Sequence, residues 1–405
     1  MTDTTAQFPF PPTSPEKAHE QMRRIREDRP MTQVQYAFGG KVWAIHRHAA
    51  VKQMLEDRRF VRKPFATGAM EVPYPVQFPD FLKTTMQFAD PPEHTRLRRL
   101  VAKAFTMRRV ELLREKTRRF AEDLLDAMER KGPPADLVRD YTLQVPILVL
   151  SELLGVPAAD RDKFTAWSQV MLATNGLSEQ ELAEHGAALY TYLVELIAAR
   201  RAEPADDLLS ALATAREKDD SLTDEEILPI AMLLLVAGFD NTANFATQGV
   251  LALLRNPDQL RVFLADIDGV APTLADEVLR HGGFALGNDV EGSAGLVPFV
   301  ATEDVEIDGQ LVRAGECVMA DISTANHDEN AFADPERFDV TRSPNPHLTL
   351  SHGLHHCLGA SLARMEMQVI IGSVFRRFPG LALAGEESYA TDFLTAGMSS
   401  LPVTW

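Results

Sequence analysis

The chain has 405 residues, 45% hydrophobic and 24% charged, which is the balance of a globular protein with one large or two ordinary domains. Its net charge of −17 argues against a nucleic-acid partner, which demands a basic surface. Two cysteines, Cys317 and Cys357, exclude a disulfide framework and fit a reducing compartment such as the cytoplasm.

Residues 1–15 are polar and proline-rich, lack the apolar core of a signal peptide, and read as a flexible leader. A short charged helix follows over residues 16–27. Residues 34–45 alternate around Gly39-Gly40 and predict a hairpin, and residues 49–56 a short helix. Residues 61–88 are broken by prolines yet carry Phe65, Tyr74, Phe78, Phe81, Met86 and Phe88, which suits a segment covering a substrate or, failing that, a buried edge. No repeat or Gly/Ser linker divides the chain, so a single domain over residues 1–405 is expected.

His94 and Arg98 stand four apart at the start of the next helix and share a face. Such a pair can hold a carboxylate, although a solvated basic helix has the same pattern. Residues 110–220 read as helical, with breaks at Gly132, Gly155 and Gly176. The helix ending at Leu154 is apolar on most sides and should be buried. Trp167, Val170 and Met171 fit either a second lid or the core.

A long helix is predicted over residues 224–255, opened by the capping box Thr223-Asp224-Glu225-Glu226 and stopped by Asn256-Pro257. Residues 231–237 are apolar all round and should cross the core. The longest apolar run, residues 230–238, falls short of the roughly 20 residues of a membrane span. Gly238-Phe239-Asp240-Asn241-Thr242 then sets an acid and two hydrogen-bonding side chains in a buried helix. Buried carboxylates are costly unless they have partners or work. Ala237 and Gly238 are small enough for a flat cofactor to lie against them.

Glu277 and Arg280, three apart, can pair, as many surface residues do. An irregular, glycine-rich stretch over residues 281–295 leads to short strands at 299–303, 305–307 and 316–320, where Cys317 reads as packing. Residues 334–338 lie in coil.

Residues 350–360 read Leu-Ser-His-Gly-Leu-His-His-Cys-Leu-Gly-Ala, and an apolar, helix-forming run continues from 358 to 378. A thiol at the first turn of a helix meets the positive end of the dipole and is favoured as thiolate. Gly353 and Gly359 would let a flat group approach the backbone. These are the needs of a haem iron with a cysteine axial ligand. A small buried cysteine is an equally plain reading of the loop alone. Zinc is disfavoured: His347, His352, His355 and His356 are near, but no paired zinc spacing accompanies the one cysteine.

Four motifs in order resemble the cytochrome P-450 family, in particular its soluble bacterial, natural-product members. They are His94-x-x-x-Arg98, Ala237-Gly238-x-Asp240, Glu277-x-x-Arg280, and Gly353-x-His355-x-Cys357-x-Gly359 followed by Leu362-Ala363-Arg364. The resemblance runs from about residue 20 to the end of the chain. It implies a mainly α fold with small β-sheets, a long central helix over haem b and the cysteine loop beneath.

By the same resemblance Cys357 is the axial ligand, and His94, Arg98 and His355 are propionate partners. Glu277, Arg280 and Arg337 form a buried structural triad, and Asp240 helps deliver protons to dioxygen. Three positions depart from the family. Asn241 stands where a threonine usually organises water, with Thr242 one residue late and about 100° further round the helix. Phe299 stands where an arginine often meets a propionate, after an unusually long segment. Leu350-Ser351 replaces phenylalanine-glycine beside the sulfur, which implies altered electronics at the iron.

The implied function is a monooxygenase that activates O2 and oxidises a small hydrophobic or amphiphilic molecule in secondary metabolism. Oxidative coupling of an aromatic peptide or cyclic dipeptide is the alternative that Asn241 favours. A non-catalytic haem sensor or scaffold is the rival from another class. No flavin or nicotinamide module follows the haem region, so a ferredoxin and its reductase are the expected electron donors. Arg98, Arg108, Arg109, Arg364, Arg376 and Arg377 are candidates for their docking patch. No membrane partner is expected. The candidate substrate lining takes Phe65, Phe78, Phe81, Met86, Trp167 and Met171 from the first half of the chain. From the second half it takes Leu234, Phe239, Leu286, Asn288, Phe393 and Leu394.

Overall fold

The alternation around Gly39-Gly40 does form a hairpin. Strands Met31–Gln35 and Lys41–Ile45 pair antiparallel with Val34 opposite Val42, which sends Val34, Val42 and Ala44 inward. In this computed structural model the described residues are 15–28, 31–36, 39–73, 80–103, 105–172, 178–217, 220–282, 297–389 and 397–405. The break expected at Gly176 and nearly all of the expected leader lie outside them. Helices and short strands fall into two compact units, each assembled from separate stretches of chain.

The first unit takes residues 1–83, 87–90 and 273–357. The hairpin is one side of a five-stranded sheet that continues through Cys317–Ala320 and Phe299–Ala301 to Phe60–Val61. Only the Cys317–Ala320 to Lys41–Ile45 pairing is parallel. Helix His48–Glu56 covers the sheet, and Ile45, Val51, Met54, Phe60, Phe299, Val318 and Leu348 make one buried cluster. Leu348, at the end of a long coil, is thereby anchored just ahead of the cysteine loop. Strand Val305–Ile307 turns back on Gln310–Val312 through Asp308-Gly309, both at positive φ, the two-residue turn a twisted hairpin prefers.

The Glu277–Arg280 pair is no surface bridge. Both side chains are fully buried, and each of the five N–H donors of Arg280 is placed. Two go to Glu277 at 2.8 Å, and three go to the carbonyls of Asn326, Pro335 and Arg337. The second arginine on Glu277 is Arg342, at 3.1 and 3.2 Å, and not the expected Arg337. The reason is backbone geometry. A turn from Asp334, at φ 46°, leaves the Arg337 side chain exposed and aims its carbonyl inward. A second turn from Asp339 then swings Arg342 onto the carboxylate.

The second unit takes residues 84–86, 91–272 and 358–405 and is mostly helical. Helix Ala360–Arg377 packs between Met107–Lys131 and Asp240–Arg255. Buried side chains lock it: the Tyr141 hydroxyl donates to the Ile370 carbonyl at 2.9 Å, and Phe375 meets Phe263 edge-on at 5.9 Å. Helix Gln144–Leu154 is buried along most of its length, as its composition predicts. It ends at Gly155, whose φ of 77° is the left-handed conformation that favours glycine at a helix terminus.

The long helix of residues 224–255 is two helices. The capping box closes as expected on Asp224–Gly238, but the chain breaks at Phe239 (φ −111°, ψ −46°) before Asp240–Arg255. The Asn241 amide donates to the Ala237 carbonyl at 3.4 Å, and the Thr242 hydroxyl to that of Gly238 at 3.5 Å. Side-chain donors on i−4 carbonyls compete with the helical ladder and bend it, which a periodicity argument does not register. Taken together, Asp224–Arg255 has the length and apolarity of a membrane span, but half of its most apolar stretch is buried inside the protein.

Glu277→Gln keeps the shape of the side chain and removes the charge that faces two arginines. The expected loss is about 3–5 kcal/mol, read by equilibrium unfolding. A loss below about 1 kcal/mol would show that the buried pair does not hold this unit together.

Candidate active site

The cysteine loop is fixed from the buried pair outward. Asn326, whose carbonyl accepts from Arg280, accepts the Leu348 N–H at 2.8 Å with its side chain and donates to the Thr349 hydroxyl at 2.8 Å. Thr349 in turn donates to the Leu279 carbonyl at 2.5 Å. The chain then folds back, and the Cys357 N–H donates to the Leu350 carbonyl at 2.7 Å. Leu350 and Ser351 are buried, whereas the Cys357 thiol is exposed. Gly353 is required where it stands: its φ is 65°, and a Cβ there would lie 2.6 Å from the Leu55 carbonyl oxygen. His352 braces the same turn through a 2.6 Å ion-pair contact with Glu56.

Ser351 occupies an unfavourable position. Its φ of 62° is left-handed, and its hydroxyl is buried without a hydrogen-bond partner. His355 meets the Phe299 ring edge-on at 5.7 Å, and the guanidinium of buried Arg62 lies 4.0 Å over that ring. Among the described residues no group of His, Cys, Asp and Glu could hold a metal ion. The zinc reading therefore has no cluster to rest on. One exposed thiol on a rigid loop, with open space where a Cβ on Gly359 would lie, matches the donor set of a flat group ligated through a single sulfur.

The second unit holds the acid. Asp240 is 9% exposed, and burial pushes its carboxyl up to about 6. Asn244 donates to it at 3.3 Å and accepts the Met398 N–H at 3.1 Å, tying the acid to strand Met398–Ser400. Ala237 and Asn241, one turn apart, are both exposed, next to buried Phe239, Asp240 and Thr242. Gly238 turns the other way, toward Leu150. Thr242 is buried. His94, 1% exposed, and half-buried Arg98 project from helix Glu93–Ala102, which an Arg96–Glu226 ion pair fastens to the start of the central helix pair.

Of the expected lining, Phe81, Trp167 and Leu234 are partly exposed, and Trp167 packs on Tyr192 at 5.6 Å. Phe65 and Phe239 have at most 1% of their surface exposed, so they are core side chains and not lining; Met86 is also buried, at 7%. Phe78, Leu286, Asn288, Phe393, Leu394 and the Met171 side chain lie outside the described residues.

Residues 293–392 match the sequence model described as Cytochrome P450. The chain is 41% identical over 384 residues to the mycinamicin IV hydroxylase/epoxidase of Micromonospora griseorubida, covering 94% of each. The chain belongs to the cytochrome P450 family. It is also 41% identical over 411 residues to the nocardicin C N-oxygenase of Nocardia uniformis subsp. tsuyamanensis, covering 100% of both. A solved structure of the mixed-function P450 MycG with mycinamicin IV is 40% identical, with TM-score 0.87 over 95% of this chain and 96% of that one. This P450 is therefore an oxidoreductase that carries thiolate-ligated haem and uses O2 to oxidise a small molecule, the activity of a secondary-metabolism monooxygenase.

Sequence reasoning missed Arg62, Asn244, Arg342 and Glu366. The last is a fully buried carboxyl in the helix after the cysteine, and desolvation holds its pKa well above the usual range. Asn244 had a legible signal, since it lies one turn beyond Asp240. Ser351→Gly should stabilise the protein by about 1 kcal/mol, because it removes a left-handed non-glycine residue and a buried unpaired hydroxyl. Thermal melts of the haem-loaded protein check this, and a fall in Tm would show that the hydroxyl has a partner in solution.

Proposed function

We propose that Cys357 is the axial thiolate, that His94, Arg98 and His355 hold the propionates, and that residues 1–405 work as one haem domain. The single observation that carries this reading is the exposed thiol on a loop that starts at buried Leu350-Ser351 and is closed by the Cys357 N–H on the Leu350 carbonyl. Cys317 is no rival, because burial pushes its thiol up to about 11 and leaves it an inert packing residue. When bound, the haem supplies the activation of dioxygen. The chain's own part is to fix the ligand, exclude water and move protons.

Asp240 is suited to the last task. A carboxyl titrating near 6 both gives and takes a proton at neutral pH, and Asn244 keeps it in place. Asn241 presents an amide beside Ala237, and Thr242 serves the helix break. The open Ala237–Asn241 patch and half-exposed Trp167 and Leu234 suit an amphiphilic natural product. Relatives named for oxygenation of mycinamicin IV and nocardicin C support insertion of oxygen over oxidative coupling.

Electrons come from a ferredoxin and its reductase in the cytoplasm. The expected docking patch is smaller than its arginines suggested. Arg377 is held by Glu122, Asp126 and Glu129, Arg376 by Asp268 and Arg109 by Asp206, whereas Arg108 is exposed and Arg98 and Arg364 are partly exposed. Reduction should weaken as salt rises, and salt-independent reduction would remove the docking argument.

Reduced protein under carbon monoxide should show a Soret band moved well to the red, and Cys357→Ser should abolish the shift. An unshifted wild-type band would overturn the ligand assignment. Asp240→Asn should lower product formation by about 100-fold while leaving substrate-induced spin shifts in place. The same variant tests the titration. A folded pKa of about 6 against 3.8 unfolded means the folded state is penalised above pH 6 and relieved below about 4. Asp240→Asn should therefore raise Tm at pH 7.5, by an amount equivalent to about 3 kcal/mol, with the gain shrinking as pH falls through 6. A gain independent of pH would show that burial does not lift this acid. Asn241→Thr should change the product formed per electron consumed, and identical coupling and products would free Asn241 of any role in setting the chemistry.

A further inference from the structure

Arg62 is a buried cation that the reaction so far does not use. It follows strand Phe60–Val61, and 2% of its surface is exposed. Its two terminal nitrogens donate to main-chain carbonyls, Gln87 at 2.8 Å and Val297 at 2.7 Å. Its Nε is buried without an acceptor. The nearest acid, Asp90, spends both carboxylate oxygens on the N–H groups of Arg62 and Lys63 and bonds none of the guanidinium. Desolvation lowers the Arg62 pKa to about 9, and Asp90 only partly opposes it. A guanidinium is taken this far out of water at a cost unless an anion answers it.

The direction in which that anion lies follows from the stack. Arg62 sits 4.0 Å over the Phe299 ring, and His355 meets the same ring at 5.7 Å. The three side chains come from the residue after strand Phe60–Val61, from strand Phe299–Ala301 and from the cysteine loop, and form one column within the first unit. Two of its three members can carry positive charge, and the aromatic ring between them favours a cation against its face. The column therefore makes a positive field with no carboxylate bonded to the guanidinium.

We propose that Arg62, acting through Phe299, is the charge-positioning residue for the haem propionate that meets His355, and so supplies the cation that Phe299 itself lacks. This rests on the haem-thiolate reading above. Phe299 then has a definite part: it carries the guanidinium on one face and the histidine edge-on, and keeps the two cations apart. Val297 and Gln87 hold the guanidinium in place through their carbonyls.

The test uses the haem-loaded protein, first confirmed by the red-shifted carbon monoxide band, so that failure of the haem reading would be seen separately. Haem loss is followed as transfer to excess apomyoglobin, together with the iron reduction potential and Tm. Arg62→Met should speed haem loss about tenfold and lower the potential, since a nearby positive charge favours the reduced iron. Arg62→Lys should keep haem loss within about threefold of wild type and leave the potential near the wild-type value, because the charge remains. Moving the cation, in the double variant Arg62→Met with Phe299→Arg, should restore slow haem loss. A merely structural Arg62 predicts a lower Tm in both methionine variants with no recovery of haem retention, and that result overturns the proposal. Phe299→Arg alone stays decisive even if the methionine variants fold poorly. With Arg62 present it should not slow haem loss, and a tenfold slowing would show that the propionate had lacked its cation, which overturns the proposal.

Discussion

The buried Glu277–Arg280 pair is the constraint on which the thiol-bearing unit depends. A carboxylate and a guanidinium without solvent contact are stable only if every lone pair and donor is answered. Here the answers come from the chain that must be folded: the carbonyls of Asn326, Pro335 and Arg337, the Asp339 N–H and the Asn345 amide. The coil between Asn326 and Asn345 is thus held by two side chains from one helix. The position of Cys357 follows by a short path through Asn326, Leu348 and the Leu350 carbonyl.

The departures from the family's motifs are local exchanges of one physical device for another. At residues 350–351 a leucine and a serine stand beside the sulfur, and the serine keeps the left-handed turn although a glycine would adopt it without strain. At Phe299 an aromatic ring stands at the strand position of a cation, and a buried arginine lies against its face. At Asn241 an amide replaces a hydroxyl and binds the Ala237 carbonyl.

Much of the architecture was legible because it is written in local patterns. The hairpin at residues 31–45, the capping box at Thr223 and the apolar helix ending at Leu154 follow from period and composition. The motifs around His94, Asp240, Glu277 and Cys357 follow from fixed short spacings. What was not legible depends on three-dimensional choice. Arg337 and Arg342 are both arginines in coil, and only the two turns at Asp334 and Asp339 decide which reaches Glu277. Phe65 and Phe239 are as aromatic as any lining residue, and burial alone assigns them to the core. Arg62 reads as an ordinary strand charge, and Glu366, between Met365 and Met367, gives no sign that its helix face is sealed.

The break at Phe239 gives the buried acid its setting. A continuous helix over residues 224–255 would direct every carbonyl along its axis and leave Asp240 an isolated buried acid. Donation from Asn241 and Thr242 to carbonyls one turn back draws them off the ladder, and the chain resumes with Ala243 bonded to Phe239 at 2.9 Å. The acid then begins a new helix. Burial lifts its carboxyl to about 6, neither permanently charged nor permanently neutral. The polar run at 240–242, which a buried helix would otherwise reject, is therefore tied to the break at Phe239 through the donations of Asn241 and Thr242.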